Sequence, residues 1–115
     1  MWRDEAYLLD ILIAARKIVS FTSGVSREQF QQDELLQNAV MRPLTIIGET
    51  ARSLSPQIKS LHPEIPWEDM IGLRNRLVHE YFRIDMGKVW DTVEKDIPVL
   101  IRQIEPLVPP DKSPS

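Results

Sequence analysis

Apolar and polar positions along the chain divide it into four long helical stretches and one short one. From about Asp4 to Phe21, Leu8, Ile11, Leu12, Ala15, Ile18 and Val19 recur at three- and four-residue spacing, which lays one apolar stripe along a helix. The run from Ser20 to Gly24 stops it, with Gly24 suited to a left-handed cap. Ser26 and Gln29 have the spacing of a capping box, which predicts a short helix over Arg27–Gln31. A second long stripe opens near Asp33, an acceptable N-cap, and runs through Leu36, Val40, Pro43, Leu44, Ile47, Ala51 and Leu54. It keeps phase across Pro43, so one helix bent at the proline is expected. Ser55-Pro56 ends it, because the residue before a proline avoids helical backbone.

Pro56 to Pro66 reads as a connector with one helical turn over Gln57–Leu61 and with Glu64-Ile65 extended between two prolines. Trp67 opens a third helix, whose first turn carries Glu68 and Asp69 where the macrodipole favours acids, and which runs to about Glu80. Asp85 caps a fourth, with Val89, Trp90, Val93, Ile97, Leu100, Ile101, Ile104 and Leu107 as its stripe and a second bend expected at Pro98. Residues 109–115 are expected to be a disordered tail. No alternating strand pattern competes and no repeat is present. The expectation is an all-α fold, an up-down four-helix bundle with an additional short helix or helices, in one domain over residues 1–108. A core this small with stripes this broad favours covering a further face with a second copy, so a homodimer is expected.

Composition narrows the chemistry. The chain has no cysteine, so it has neither a thiolate nucleophile nor a disulfide frame, which fits a reducing cytoplasm. With two histidines and no thiolate, no metal site and no cofactor are expected. No run reaches the roughly 18 apolar residues of a membrane span. The N-terminus carries acids early and lacks a signal peptide's basic start, so a cytoplasmic location is expected. A net charge of −3 argues against an extended, nonspecific grip on nucleic acid. It leaves room for a local positive site, because Arg74, Arg76, Arg83 and Lys88 fall in one window whose acids are Glu80 and Asp85.

That window contains the most chemical segment of the chain, Arg74-Asn75-Arg76-Leu77-Val78-His79, followed by Glu80-Tyr81. A guanidinium keeps its charge at any physiological pH, and an imidazole titrates near about 6.5. Together they are a minimal kit for cutting a phosphodiester. Asn75 and His79 are four apart and share a helix face, whereas Arg74 and His79 lie roughly 140° apart around the axis. They converge if the helix ends near His79, or if a twofold partner presents the same residues across a cleft. Taken singly, each has a plainer role: an ion-paired arginine, a capping histidine, a packing tyrosine, an asparagine bonded to backbone. Glu49, among apolar neighbours of the second helix, either pairs with Arg74 or Arg76 or is an exposed acid. Arg76 and Arg83 either steer RNA or solubilise the surface. His62 reads as solvated, and Trp67 and Trp90 fit a core better than a base-stacking surface.

The segment Arg74–Tyr81 matches the R-x-x-x-x-H-x-Y signature of HEPN-domain toxins of the HepT type, and the chain resembles that family over nearly its whole length. Asn75 stands where the family has a polar residue. Ile47-Gly48-Glu49-Thr50-Ala51 with Ser53-Leu54-Ser55 resembles the family's second helix, Ile65-Pro66-Trp67 its lead into the third, and Val89-Trp90 its fourth. The resemblance implies an α-helical homodimer acting as a metal-independent endoribonuclease, the toxin of a type VII-like toxin–antitoxin pair, with tRNA among the candidate substrates. It implies Arg74 and His79 as catalytic residues; the residue pattern itself adds Asn75 and Glu49 as candidate supports and Arg76 and Arg83 as candidate RNA contacts. It also implies an MntA-like nucleotidyltransferase antitoxin that transfers AMP to Tyr81 and silences the toxin. The alternative within the same resemblance is a catalytically silent HEPN-type module that binds a nucleotidyltransferase.

Overall fold

The computed structural model describes residues 2–109, and the segment 110–115, where most of the disordered tail is expected, lies outside them. The chain runs through α1 (Trp2–Thr22), α2 (Arg27–Gln32), α3 (Glu34–Ser53), α4 (Pro56–Leu61), α5 (Trp67–His79), α6 (Met86–Asp91) and α7 (Ile97–Ile104). Short 3-10 turns follow α5 (Tyr81–Arg83) and α7 (Glu105–Leu107). No strand occurs among the described residues.

The ends of these helices have local causes. Gly24 takes a φ of 74° in the turn after α1, a left-handed conformation that glycine adopts without a Cβ clash. Ser26 and Gln29 form a reciprocal capping box at α2, and Asp33 accepts the Leu36 N–H at the head of α3. The turn expected inside the connector begins one residue earlier, because Ser55 caps it and Pro56 occupies the first helical position, where no N–H is needed. The third helix stops at His79, one residue short of expectation. Helix α3 passes through Pro43 without interruption.

The fourth stretch is helical from Met86 to Ile104, but its middle, Thr92–Asp96, is a wide π turn. Pro98 accounts for it. The proline has no N–H and its ring crowds the carbonyl four residues earlier, so the preceding turn widens and the Ile97 N–H bonds back to the Thr92 carbonyl instead.

Helix α3 is central, packed on α1 and on α5, and α1 packs in turn against α7. The core is Ile11, Leu12 and Ile18 from α1, Val40, Leu44, Ile47 and Ala51 from α3, Leu77 from α5, and Leu100 and Ile104 from α7, all buried. Trp67 and Trp90 lie in this core: Trp90 meets Phe30 with ring centroids 5.1 Å apart, and the Trp67 indole N–H donates to the His62 carbonyl at 3.0 Å. Ion pairs Arg27–Asp91 and Arg16–Glu105 tie α2 to α6 and α1 to the C-terminal turn. At the other end Asp4, 7% exposed, accepts the Ser55 N–H at 3.0 Å and its hydroxyl at 2.6 Å. Helices α5 and α7 do not close on one another in the same way, and a groove of about 550 Å³ remains between them.

Candidate active site

The site begins with a missing side chain. Where α3 and α5 cross, a Cβ on Gly48 would collide with the Arg74 Cβ and stand 2.6 Å from the Met70 carbonyl oxygen. Glycine therefore lets the backbone of α5 come close enough for Arg74 to seat against α3. From there the Arg74 side chain emerges at the surface beside Glu49 of α3. Its Nη2 stands 3.4 Å from Glu49 Oε1, and its Nη1 donates to the Asn75 side-chain oxygen at 3.1 Å. Only 19% of the side chain is exposed, and its buried Nε–H has no partner among the described residues. The cation is thus held at a fixed place with one edge toward solvent.

Asn75 and His79 share a face of α5, since four residues is nearly one turn. By reaching sideways to Asn75, the Arg74 guanidinium approaches the face that carries His79. His79 is the last residue of α5 and is exposed. Beyond it the backbone leaves the helix at Glu80, whose N–H bonds to the Arg76 carbonyl at 2.8 Å, and enters the turn Tyr81–Arg83. The Tyr81 hydroxyl donates to the Asn38 side-chain oxygen of α3 at 2.6 Å, and its ring meets Phe82 edge-on at 5.2 Å.

An apolar rim surrounds these groups. Phe82 is 96% exposed and Leu35 is 81% exposed, while Val78 and Tyr81 are each nearly half exposed. On α3, Leu35, Asn38, Arg42 and Glu49 fall within about 60° of one another around the axis. Through the Tyr81–Asn38 and Arg74–Glu49 contacts, that outer face of α3 and the end of α5 make one continuous surface. It combines a held cation, an imidazole that can give or take a proton, and bare apolar side chains.

Arg76 is placed elsewhere. It lies two residues from Arg74, which is roughly 200° around α5. It lines the groove between α5 and α7 together with Glu64, Glu68, Asp69 and Asp96. The structure therefore does not bring Arg76 to the Arg74 side of the helix. Arg83 ends the turn after Tyr81 and is exposed. His62 is half-buried and stands 3.5 Å from Glu64.

Two residues of the site, Gly48 and Asn38, were not among the candidates that the sequence offered. Gly48 had a signal, since a glycine in mid-helix among apolar neighbours marks a close approach. Asn38 had none: it is a polar residue on an exposed helix face, and its partner lies 43 residues away. Among the described residues no group of three or more histidine, aspartate or glutamate side chains is arranged to hold a metal ion. No helix of those residues is long and apolar enough to cross a membrane.

A family model described as "Ribonuclease HepT-like" matches residues 11–107. Among curated proteins, the chain is 44% identical over 101 residues to a protein of Thermococcus cleftensis named "Probable ribonuclease HepT", covering 88% of this chain and 92% of that one. It is 37% identical over 101 residues to a protein of Methanocaldococcus jannaschii named "Putative RNase", covering 88% and 93% respectively. A protein of Caldanaerobacter subterraneus, likewise named "Putative RNase", is 34% identical over 112 residues, 97% of this chain and the whole of that one. No solved structure matches the chain significantly.

Proposed function

The chain belongs to the ribonuclease HepT-like family and is an RNA-cleaving enzyme, and we propose that Arg74 and His79 carry out the cleavage at a cleft shared by two copies of the chain. The observation that carries this reading is the Arg74–Asn75 hydrogen bond, which brings the fixed charge toward the helix face holding the exposed His79. The apolar rim of Leu35, Val78, Tyr81 and Phe82 supports the second copy. Side chains this exposed are covered by pairing, and a twofold axis through the rim sets two Arg74–His79 sets face to face.

The chemistry needs nothing beyond these groups. The ribose 2′-oxygen attacks the adjacent phosphorus as a base takes its proton. The 5′-oxygen leaves with the bonding electrons and is protonated by an acid, giving a 2′,3′-cyclic phosphate end and a 5′-hydroxyl end. His79, in two copies, serves as base and acid, because an imidazole can both take up and release a proton. Arg74 binds the phosphate and offsets the negative charge that grows as the bonds exchange. Asn75 orients Arg74 or bonds a phosphate oxygen, and Glu49 holds the guanidinium from behind. Arg83, exposed just past Tyr81, draws RNA toward the cleft, while Arg76 acts on RNA only if the strand turns around α5.

In a toxin–antitoxin pair of the type VII kind, a cytoplasmic MntA-like nucleotidyltransferase would adenylylate Tyr81. The Tyr81 oxygen bonds to the α-phosphorus of ATP, pyrophosphate departs, and the hydroxyl proton passes to solvent. The adenylyl group adds bulk and negative charge beside the cleft and repels RNA.

The test is cleavage of a mixed cellular RNA, tRNA included, by the purified protein with and without a chelator, with the ends of the products identified. Cyclic phosphate ends made in chelator by wild type, and not by Arg74→Ala or His79→Ala, are expected. Cleavage undiminished in both variants refutes the assignment.

A further inference from the structure

The Tyr81–Asn38 hydrogen bond joins a residue of the motif to a helix that the motif does not include. Its surroundings make it more than decoration. His79 ends α5, and the chain resumes regular helix only at Met86. Between them, Ile84 packs partly against the core, and the backbone is tied by Glu80 N–H to Arg76 and Arg83 N–H to Glu80, both at 2.8 Å. Those ties are internal to α5 and its turn. Phe82 is almost wholly exposed and holds nothing down. The link from the middle of this segment to the body of the molecule is the Tyr81 hydroxyl on Asn38, a short contact between two side chains 43 residues apart.

We propose that Asn38 is a positioning residue of the site: by accepting a hydrogen bond from the Tyr81 hydroxyl it latches the turn after His79 onto α3 and so fixes the imidazole relative to Arg74. Arg74 is held to the same helix through Glu49, eleven residues further along α3. Both members of the pair are then referenced to one rigid rod, which keeps the charge and the proton carrier in register. Asn38 touches no substrate in this arrangement and acts through Tyr81.

The latch also bears on control, and this part rests on Tyr81 as the adenylylated residue. Once the hydroxyl proton is replaced by an adenylyl group, the Tyr81 oxygen has nothing to donate and faces the Asn38 oxygen as a second acceptor. Modification therefore releases the turn as well as crowding the cleft.

The experiment compares wild type with Asn38→Ala, Asn38→Asp, Tyr81→Phe and the double variant Asn38→Ala/Tyr81→Phe. Two readouts are used: hydrogen exchange of the amides of residues 80–84, and kcat and KM for RNA cleavage. Loss of one hydrogen bond of this kind should speed exchange in that segment about fivefold, with the rest of the chain unchanged. Asn38→Ala and Tyr81→Phe should each lower kcat by about three- to tenfold with KM little moved, and the double variant should fall no further than either single one. Asn38→Asp retains an acceptor oxygen and should restore both readouts. Exchange at the wild-type rate in Asn38→Ala, losses that multiply in the double variant, or no rescue by aspartate each overturn the latch. The exchange result decides this independently of whether RNA is cut, so a failure of the catalytic assignment remains distinguishable from a failure of the latch.

Discussion

Gly48→Ala should separate the packing argument from ordinary helix propensity. In an unconstrained helix interior, replacing glycine by alanine stabilises by about 1 kcal/mol. At Gly48 the added methyl would have to occupy space already taken by the Arg74 Cβ and would stand 2.6 Å from the Met70 carbonyl oxygen. Ordinary contact begins at 3.4 Å and the Arg74 Cβ would stand at 2.2 Å, so α5 must retreat from α3 by more than an ångström. The obstacle is backbone and a Cβ, neither of which can rotate away. Overpacking of that kind costs about 1–3 kcal/mol, and immovable neighbours put it in the upper half of the range. After the propensity gain, Gly48→Ala should destabilise by about 1–2 kcal/mol and lower the melting temperature by several degrees. Gly72 is the internal control. It lies in α5, and its nearest neighbour would be the flexible end of Arg76 at 3.7 Å, so Gly72→Ala should stabilise by about 0.5–1 kcal/mol. Urea unfolding of both variants gives the two numbers directly. The same displacement moves Arg74, so RNA cleavage by Gly48→Ala should drop on the order of tenfold or more. A Gly48→Ala protein as stable as Gly72→Ala, with full activity, refutes the claim that this glycine seats the arginine.

Other outcomes follow from the same structure. Arg74→Ala and His79→Ala should each reduce RNA cleavage by roughly 10²–10⁴-fold. His79 is exposed, so its variant should unfold within about 0.5 kcal/mol of wild type; a large loss of stability would assign it to packing instead. Phe82→Ser should dissolve the proposed dimer: burying an aromatic is worth about 1.5–3 kcal/mol and a twofold axis counts it twice, so the dissociation constant seen by light scattering should rise at least a hundredfold. An unchanged dimer would place the interface elsewhere, and a wild-type monomer would remove it. The Ser55 hydroxyl, and then the Ser55 N–H, hold the Asp4 carboxyl below its usual value of 3.8, against the opposing effect of burial. Its stabilising share is fully present above about pH 4 and is lost as pH falls through the lowered folded value. Asp4→Ala should therefore cost about 1–3 kcal/mol in urea at neutral pH, with the gap to wild type narrowing below about pH 4. A gap that is constant or grows with acidity would contradict that ionisation.

The stretches read from the sequence were those whose physics is local. The capping box at Ser26, the caps at Asp33 and Asp85, and the stripes of α1 and α3 each depend on residues within a turn or two of one another. Pro98 was legible as a disturbance, but whether the helix would bend or widen depended on what packed around it, and the π turn is the answer. In the candidate site, Arg74, Asn75 and His79 were visible because they lie on one short segment. Glu49 was open between Arg74 and Arg76, and it is Arg74 that lies beside it, because the crossing of α3 and α5 at Gly48 sets which side of α5 faces α3.

By itself the chain determined that it would be helical, where most helices begin and end, and which segment carries a guanidinium and an imidazole together, since caps, stripes and motif spacing are all short-range properties of covalently linked neighbours. Only the tertiary structure decided that Arg74 would sit against α3 while Arg76 looks the other way into an acidic groove, and that the hydroxyl of Tyr81 would find Asn38. Those outcomes depend on how closely and at what rotation two helices pack, and that is fixed by the summed fit of a whole interface, down to one absent methyl at Gly48, which no local stretch of sequence encodes.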